Sequence, residues 1–334
     1  MKAFAVFEPE KMGFVEIPVP ELGDYEALVK MEACVICNST DWMVIKTSFG
    51  CGYPLILGHE TIGRVVKTGR KVKHLKIGDR VTRATAFSEG YNGEFRSGFG
   101  GFAEYGVVKD AASMREDGFD EQSLRYVSNM VIPDELSMEQ ASLVIALTET
   151  ASCLMQLESL EGKNIVVMGT GIAGLSFVMF SKLFGARNVI CIGKREQRLE
   201  LAKKLGVDEA FFSDDKDLNS KILNTTGEVD YIFEASGKYN VFENGFPFLK
   251  NGGSLGFYGV PEQPYRITLD SPPNFSVFNF SPYEQIATAK ICELIIQNKI
   301  PTDLLLTHMF TFDQLPEALE MVKKGEVLKG MVII

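Results

Sequence analysis

The chain has 334 residues, of which 46% are hydrophobic and 23% are charged, and its formal net charge is −10. This length is typical of two domains, and the apolar content is sufficient for two hydrophobic cores. The composition excludes a disordered chain. The negative charge argues against nucleic acid or an anionic membrane surface as a partner.

The amino-terminal residues and the cysteines indicate where the protein works. The first apolar run ends at Glu8, which is too early for a signal peptide, and no apolar run approaches the roughly 18 residues that cross a bilayer. The six cysteines are scattered along the sequence, and several lie in apolar runs. We therefore expect a cytoplasmic protein with reduced cysteines and no membrane contact.

The first third of the sequence has the pattern of short β-strands. Apolar and polar residues alternate from Val29 to Val35, and further strand patterns follow at residues 62–66 and 80–82. Gly, Pro and Asp residues separate these segments. The pattern predicts a barrel-like antiparallel β domain up to about residue 110.

From about residue 139 the sequence alternates between strand and helix patterns. The predicted strands are residues 164–168, 188–192, 230–234 and 254–258, and the predicted helices are residues 175–184 and 196–205. Gly185 and Gly206 end the two helices. This alternation is typical of a parallel, doubly wound α/β sheet. A predicted helix at 284–297 and a predicted strand at 331–334 close the chain.

A glycine-rich turn joins the strand at 164–168 to the helix that follows it. The residues of this turn that we expect to contact a dinucleotide are Gly169, Gly171, Ile172, Ala173 and Gly174. The pattern Gly-x-Gly-x-x-Gly is a weak signal alone, but a strand before it and a helix after it are the context that nucleotide binding requires. The sequence therefore predicts a dinucleotide site here.

The end of the second strand indicates which dinucleotide binds. Enzymes of this fold that use NAD need Asp or Glu roughly 20 residues past the glycines, where it accepts a hydrogen bond from the ribose. Here the strand ends in Gly193, Lys194 and Arg195, and Arg198 follows one helical turn later. The cations, with open space at Gly193, favour a 2′-phosphate. We expect NADP(H) rather than NAD(H).

A second candidate site lies in the β-rich part of the sequence. Cys37 and His59 offer a thiolate and an imidazole, both of which suit zinc. Ser39 and Thr40 follow the cysteine, so a hydroxyl is near enough to accept the proton of a metal-bound alcohol. A metal site and a nicotinamide site in one chain indicate metal-assisted hydride transfer. The structural alternative is that Cys37 is a small buried residue and that His59 is a hydrogen-bonded core residue.

The order of these segments resembles that of zinc-type alcohol dehydrogenases in the medium-chain dehydrogenase/reductase family. The shared segments are the cysteine with its small polar neighbours, Gly58-His59-Glu60, residues 77–81, the glycine-rich turn and Leu328-Lys329-Gly330. The resemblance implies an α/β protein whose GroES-like catalytic domain (1–139) is interrupted by a Rossmann domain (140–282), with a last segment (283–334) that returns to the catalytic domain.

The resemblance also implies further contacts and an assembly. Ser236, Tyr258 and Lys329 stand at positions where such enzymes contact the nucleotide. A homo-oligomer, either a dimer or a tetramer, is expected.

Two departures from the family pattern concern the metals. No cysteine occurs between Cys51 and Cys153, so we expect one catalytic zinc and no structural zinc. The usual position of the third ligand is Ile145, which cannot bind a metal. The third ligand is then either Glu60 or Glu149, which follows Ile145 by one helical turn.

A third departure concerns the residues around the ligands. The position where the family has an aspartate behind the metal site is Thr40, and Asp41 is displaced from it by one residue. Trp42 stands where a histidine of the proton relay is common. Trp42 and three phenylalanines (Phe49, Phe95 and Phe99) either line a pocket or fill the core.

The leading hypothesis is a zinc-dependent, NADP-linked dehydrogenase of a secondary alcohol, a polyol or a sugar, or of the corresponding ketone. A metal-free quinone or enoyl-type reductase of the same fold is the first alternative, because Ile145 cannot complete a zinc site. A nucleotide-binding protein without catalytic activity is the second. The sequence does not identify the substrate.

Overall fold

The computed structural model describes residues 1–87, 92–97, 99–124, 127–261, 263–267 and 274–334. The chain divides into two compact units: Met1–Ile145 with Thr288–Ile334, and Ala146–Ala287. The boundaries expected from the sequence were 139/140 and 282/283.

Strands and helices are numbered here in chain order within the described residues. The strands are β1 (Lys2–Glu8), β2 (Lys11–Glu16), β3 (Glu26–Ile36), β4 (Leu55–Ile56), β5 (Glu60–Thr68), β6 (Arg80–Thr82), β7 (Arg96–Ser97), β8 (Tyr105–Lys109), β9 (Val131–Ile132), β10 (Asn164–Met168), β11 (Asn188–Gly193), β12 (Glu209–Phe212), β13 (Val229–Glu234), β14 (Leu249–Phe257), β15 (Phe275–Asn279), β16 (His308–Thr311) and β17 (Gly330–Ile333). The helices are α1 (Thr40–Thr47), α2 (Ala111–Glu116), α3 (Glu121–Leu124), α4 (Met138–Met155), α5 (Ile172–Leu183), α6 (Glu196–Lys204), α7 (Leu218–Thr226), α8 (Thr288–Ile296), α9 (Thr302–Leu305) and α10 (Leu315–Lys324).

The first unit is built on two β-sheets. The smaller sheet has the order β2-β1-β4-β7, and the larger has the order β16-β17-β3-β5-β6-β9, with β8 also paired to β3. Strand β3 pairs antiparallel with β5, β8 and β17, so the carboxyl-terminal strand belongs to the same sheet as the early strands. The β-rich, largely antiparallel character predicted for this part of the chain is confirmed.

The second unit is a parallel sheet with the order β12-β11-β10-β13-β14-β15. Every neighbouring pair in it is parallel, and its order in chain terms is 3-2-1-4-5-6, the order of a Rossmann sheet. The predicted doubly wound α/β sheet is therefore confirmed. The sequence pattern did not reveal β12 and β15, because these two edge strands are only partly buried and lack a continuous apolar run.

Two predicted elements differ in their extent. The helix expected at 284–297 is a short 3-10 turn at Glu284–Ile286 followed by α8, and the division between the two units falls between these two elements. Strand β14 begins at Leu249, five residues before the predicted start at 254. No helix among the described residues is both long and apolar enough to cross a membrane.

An aromatic cluster fills part of the core of the second unit. Phe177 of α5 is fully buried, and its ring centroid lies 5.6 Å from that of Phe233, 5.3 Å from that of Tyr258 and 4.9 Å from that of Phe280. Such ring pairs add to the stabilisation that burial of the apolar area gives. Phe177 therefore ties α5 to the ends of β13 and β14.

Phe177→Ala should lower the free energy of unfolding by about 3–5 kcal/mol, because it removes a large buried ring and leaves a cavity. Urea unfolding followed by circular dichroism measures this. Phe212→Ala is the matched control, since Phe212 belongs to the same unit and is 43% exposed. This substitution should lower the free energy of unfolding by about 0.5 kcal/mol or less. Equal losses in the two variants would show that the cluster does not stabilise the unit.

Candidate active site

The register of three strands brings the candidate metal ligands together. Gly330 of β17 pairs with Ile36 of β3, and Val35 of β3 pairs with Glu60 of β5. Cys37, which follows β3, and Lys329, which precedes β17, are therefore close to Glu60 at the same end of the sheet. All of these residues belong to the first unit.

Cys37 lies in the turn between β3 and α1. Its backbone N–H donates to Asp41 Oδ2 at 2.8 Å, and its Sγ lies 3.6 Å from the hydroxyl oxygen of Ser39. Ser39 is exposed and occupies the N-cap position of α1, but its side chain makes no capping hydrogen bond. The hydroxyl of Ser39 is therefore not committed to the helix, and Thr40 is the first residue of α1.

His59 is oriented by the displaced aspartate. Its Nδ1 lies 3.1 Å from Oδ1 of Asp41, which is completely buried. An Nδ1–H that donates to Asp41 leaves the lone pair of Nε2 for a metal, which is how carboxylates commonly orient histidine ligands. Asp41 therefore lies behind His59, where an aspartate is expected from the family pattern, although it is displaced by one residue in the sequence.

Three ligand atoms of different types lie close together. Cys37, His59 and Glu60 each contribute one atom, and these three atoms lie within 4.8 Å of one another. Among the described residues, these three side chains form the group that is able to hold a metal ion. Oε1 of Glu60 accepts a hydrogen bond from Nζ of Lys329 at 2.6 Å, and both side chains are 1% exposed. Oε2 of Glu60 is buried and has no hydrogen-bond partner in the described part of the chain. A thiolate, an imidazole and an orphaned carboxylate oxygen fit a zinc ion.

The charges of this group act on one another. Burial raises the pKa of the Cys37 thiol, but a hydrogen bond and the positive charge of His59 outweigh burial, so that this pKa lies below its ordinary value. Burial lowers the pKa of His59, yet the charge and hydrogen bond of Asp41, together with those of Cys37, raise it well above its ordinary value. The group therefore favours the thiolate, which is the form of cysteine that binds metals.

A cavity lies next to His59 in the first unit. It has a volume of about 560 Å³, and Phe49 and Phe99 line it. The ring centroid of Phe99 is 5.1 Å from that of His59. The other two aromatic residues considered from the sequence, Trp42 and Phe95, are buried in hydrophobic clusters instead.

The glycine-rich turn of the second unit has the geometry of a nucleotide cradle. Gly169 has φ +118°, and a Cβ on it would lie 2.9 Å from the backbone of Ala235 and Ser236. A Cβ on Gly171 would meet nothing within 4 Å, so that this side of the turn is open. A Cβ on Gly174 would lie 2.0 Å from the carbonyl oxygen of Gly169. A tight turn, an open approach and close helix–strand packing are the three uses of glycine in such cradles.

The N-terminus of α5 opens onto the same turn. The helix begins at Ile172, with Ala173 and Gly174 in its first turn, and its N-cap is Gly171. Since Gly171 has no side chain to cap the helix, the first backbone N–H groups of α5 are available to an anion.

The end of β11 differs from expectation in one respect. Lys194 and Arg195 are exposed and Arg198 is half-buried, and burial together with the charge of Arg195 lowers the pKa of Arg198. The open space expected at Gly193 is absent, because a Cβ there would lie 2.4 Å from Cγ2 and 2.8 Å from Oγ1 of Thr170. This part of the expectation is wrong: the glycine accommodates Thr170 of the cradle.

The remaining candidates also have defined surroundings. The hydroxyl of Tyr258 donates to Oε2 of Glu149 at 3.3 Å, and both residues belong to the second unit. The backbone N–H of Ser236 donates to Oε1 of Glu234 at 2.7 Å. Lys329 lies in the first unit beside Glu60, and its ammonium is engaged there.

Sequence reasoning missed the contribution of Glu234. This carboxylate is completely buried at the end of β13 and accepts from the N–H of Ser236 and Gly237 and from the hydroxyls of Ser236 and Tyr265. It thereby fixes the turn against which Gly169 packs. The sequence did contain a signal for this role, because Glu234 is a charged residue at the end of an apolar strand. A carboxylate that is buried there needs several hydrogen-bond donors.

Two family models match the chain. The model of the alcohol dehydrogenase GroES-like domain matches residues 23–115, and that of the zinc-binding dehydrogenase matches residues 173–283. Sorbitol dehydrogenase of Bacillus subtilis is 26% identical over 99% of this chain and 97% of its own. D-arabinitol dehydrogenase 1 of Uromyces fabae is 27% identical over 98% of this chain and 96% of its own.

A solved structure shares the fold. The 2R,3R-butanediol dehydrogenase of Bacillus subtilis superposes with a TM-score of 0.80 and 22% identity, over 100% of this chain and 99% of that one. The resemblance drawn from the ordered motifs is confirmed by these matches. The chain belongs to the zinc-type alcohol dehydrogenases of the medium-chain dehydrogenase/reductase family, which are oxidoreductases.

Proposed function

We propose that this chain is a zinc-dependent, NADP-linked dehydrogenase that oxidises a secondary alcohol, polyol or sugar, or reduces the corresponding ketone. One observation carries the proposal: Cys37, His59 and Glu60 place three ligand atoms within 4.8 Å, and one oxygen of the carboxylate has no partner among the described residues. The polyol dehydrogenases among its relatives support the substrate class.

In this proposal the first unit supplies the residues that act on the substrate. Cys37, His59 and Glu60 hold zinc, and Asp41 orients His59 through Nδ1. When bound, zinc supplies a Lewis acid that lowers the pKa of the substrate hydroxyl, and the nicotinamide accepts a hydride. Ser39, whose hydroxyl lies 3.6 Å from Cys37 Sγ and is exposed, accepts the hydroxyl proton and passes it to water; Thr40 is the alternative.

The second unit binds the nucleotide in this proposal. The open face of Gly171 and the uncapped N-terminus of α5 receive the pyrophosphate. Lys194 and Arg195 receive the 2′-phosphate, helped by the half-buried Arg198, which lies in α6 one helical turn further along the chain. The nucleotide contacts of Ser236, Tyr258 and Lys329 stay predictions. The cytoplasmic location and the homo-oligomer are also predictions.

A metal-free reductase of the same fold is the second candidate. Ile145 of α4 is apolar and 1% exposed, so that it cannot act as a ligand, and Lys329 already neutralises one oxygen of Glu60. In this case Lys329 and His59 would polarise the substrate through hydrogen bonds. Zinc content of the purified protein separates the two candidates.

We expect about one zinc per chain, and Cys37→Ala should remove both the metal and alcohol oxidation, because two remaining ligands hold zinc poorly. Plasma mass spectrometry measures the metal. The affinity for NADPH should not change, since the cradle belongs to the second unit. Cys292→Ala is the control, because Cys292 is a buried cysteine in α8 outside the ligand group. A Cys37→Ala protein with full activity would rule out zinc catalysis.

The identity of the third ligand has its own test. Glu60→Gln should lower zinc affinity by at least about 10–100-fold, because loss of a residue that only supports a metal ligand already has an effect of that size. Glu149→Gln should leave the zinc affinity unchanged. Glu149 is the matched control, because its carboxylate already accepts from Tyr258. Competition with a fluorescent chelator gives both affinities. A loss only in Glu149→Gln would reverse the assignment.

Replacing both Lys194 and Arg195 by Ala should weaken NADPH binding at least about a hundredfold, because each charged contact to a phosphate contributes roughly 1.5–3 kcal/mol. NADH binding should hardly change. The control replaces Lys203 and Lys204 by Ala, since these lie in the last turn of α6. Fluorescence titrations give the dissociation constants; tighter binding of NADH than of NADPH by the unaltered protein would overturn the cofactor proposal. Gly193→Asp is unsuitable, because its Cβ would meet Thr170.

A further inference from the structure

One buried residue joins the segments that follow β13 and β14 in the second unit. Glu234 is the last residue of β13 and is completely buried. Its carbonyl oxygen accepts from the N–H of Tyr258 at 2.8 Å and from that of Gly259 at 3.1 Å, just after β14. Its carboxylate accepts from the N–H of Ser236 and from that of Gly237, which follow β13. Glu234 therefore holds both segments.

The hydroxyl of Tyr265 completes this network. It donates to Oε2 of Glu234, and the same hydroxyl oxygen lies 3.0 Å from the carbonyl oxygen of Gly259. Burial and the hydrogen bond with Glu234 raise the pKa of Tyr265, so that the hydroxyl keeps its proton and acts as the donor. Both oxygens of the carboxylate thus accept hydrogen bonds, Oε1 from Ser236 and Oε2 from Tyr265.

The position of Tyr265 is itself fixed by its neighbours. Its ring packs against that of Phe257, the last residue of β14, with 4.6 Å between the two centroids. The backbone N–H of Arg266 donates to the carbonyl oxygen of Tyr239 at 2.9 Å, which ties the following residue to the segment after β13. The ring and the backbone therefore place the hydroxyl of Tyr265 at the carboxylate of Glu234.

The network lies where the strand order of the parallel sheet reverses. Strands β10 and β13 are neighbours at this reversal, and dinucleotides bind there across the carboxyl ends of the strands. A Cβ on Gly169, which follows β10, would lie 2.9 Å from the backbone of Ala235 and Ser236. The proposed function places the 2′-phosphate at the end of β11, on one side of the reversal. The half of the dinucleotide that carries the nicotinamide then lies over the ends of β13 and β14.

We propose that Glu234 and Tyr265 are positioning residues for the nicotinamide half of the dinucleotide. They fix the segments after β13 and β14 before the nucleotide binds, so that little of the binding free energy is spent on ordering these segments. Neither residue has to touch the nucleotide. This inference rests on the proposed function, because it takes the direction of the bound dinucleotide from that proposal.

Tyr265→Phe isolates the hydroxyl, because phenylalanine keeps the ring that packs against Phe257. The variant should bind NADPH about 3–10-fold more weakly, since binding must then order the two segments. Its affinity for 2′,5′-ADP, which contains only the adenosine half, should change by less than about twofold. Isothermal titration measures both ligands without turnover. A general loss of structure would weaken both ligands alike, whereas loss of positioning weakens only NADPH.

Tyr231→Phe is the matched control. Tyr231 is a half-buried tyrosine in the same strand as Glu234, and it lies outside the network. Its substitution should leave the affinities for NADPH and for 2′,5′-ADP unchanged. The double replacement of Lys194 and Arg195 by Ala should show a third pattern and weaken both ligands, because both carry the 2′-phosphate.

A second variant tests whether the hydroxyl acts through the carboxylate. Glu234→Gln should weaken NADPH at least as much as Tyr265→Phe does, because an NH₂ donor replaces one of the two acceptor oxygens. Adding Tyr265→Phe to Glu234→Gln should cause no further loss, since both changes break the same link. Additive losses would overturn the inference.

Two further outcomes separate the inference from the proposed function. An unchanged affinity of Tyr265→Phe for NADPH, or equal losses for NADPH and 2′,5′-ADP, would overturn the inference and leave the proposed function intact. If the unaltered protein binds NADH more tightly than NADPH, the cofactor assignment of the proposed function fails alone. A loss for NADH but not for AMP in Tyr265→Phe would then support the inference.

Discussion

The buried ion pair between Glu60 and Lys329 is the interaction on which the first unit depends. Its atoms lie 2.6 Å apart, both side chains are 1% exposed, and the two residues are separated by 269 positions in the chain. Removal of one partner from such a pair typically costs about 3–5 kcal/mol, because the other charge stays buried alone. The position of β17 beside β3 is therefore coupled to the presence of a carboxylate at the start of β5.

The same pair sets the charge of the candidate metal site. Cys37, Asp41 and Glu60 provide three groups that carry negative charge when ionised, whereas Lys329 provides one ammonium group. The raised pKa of His59 is one response to this excess, since a proton on the imidazole compensates Asp41 and Cys37. A divalent cation has the sign and the ligand types that this group requires. Lys329 therefore holds Oε1 of Glu60, whereas Oε2 has no hydrogen-bond partner among the described residues.

Local patterns in the sequence predicted the parts of the fold that local interactions determine. The β-rich first unit, the parallel sheet and the glycine-rich turn followed from apolar runs and glycine spacing, and the structure confirms them. The two edge strands and the break before α8 were missed, because partial burial and a change of unit leave no local signal. The space at Gly193 was misjudged for the same reason, since Thr170 fills it from another turn.

Local sequence patterns also could not predict the contacts of single residues in the candidate site. Asp41 departs from the family position by one residue, yet both its oxygens are used, because the start of α1 turns its carboxylate towards the Cys37 N–H and His59. The sequence left Glu60 and Glu149 as alternatives for the third zinc ligand, and the choice between them depends on the contacts that each side chain makes in the structure. Glu149 follows Ile145 on α4, but it belongs to the second unit and accepts from Tyr258 there. Glu60 lies within 4.8 Å of the other ligand atoms and retains an unpartnered oxygen in the described part of the chain, which makes it the better candidate for the third ligand.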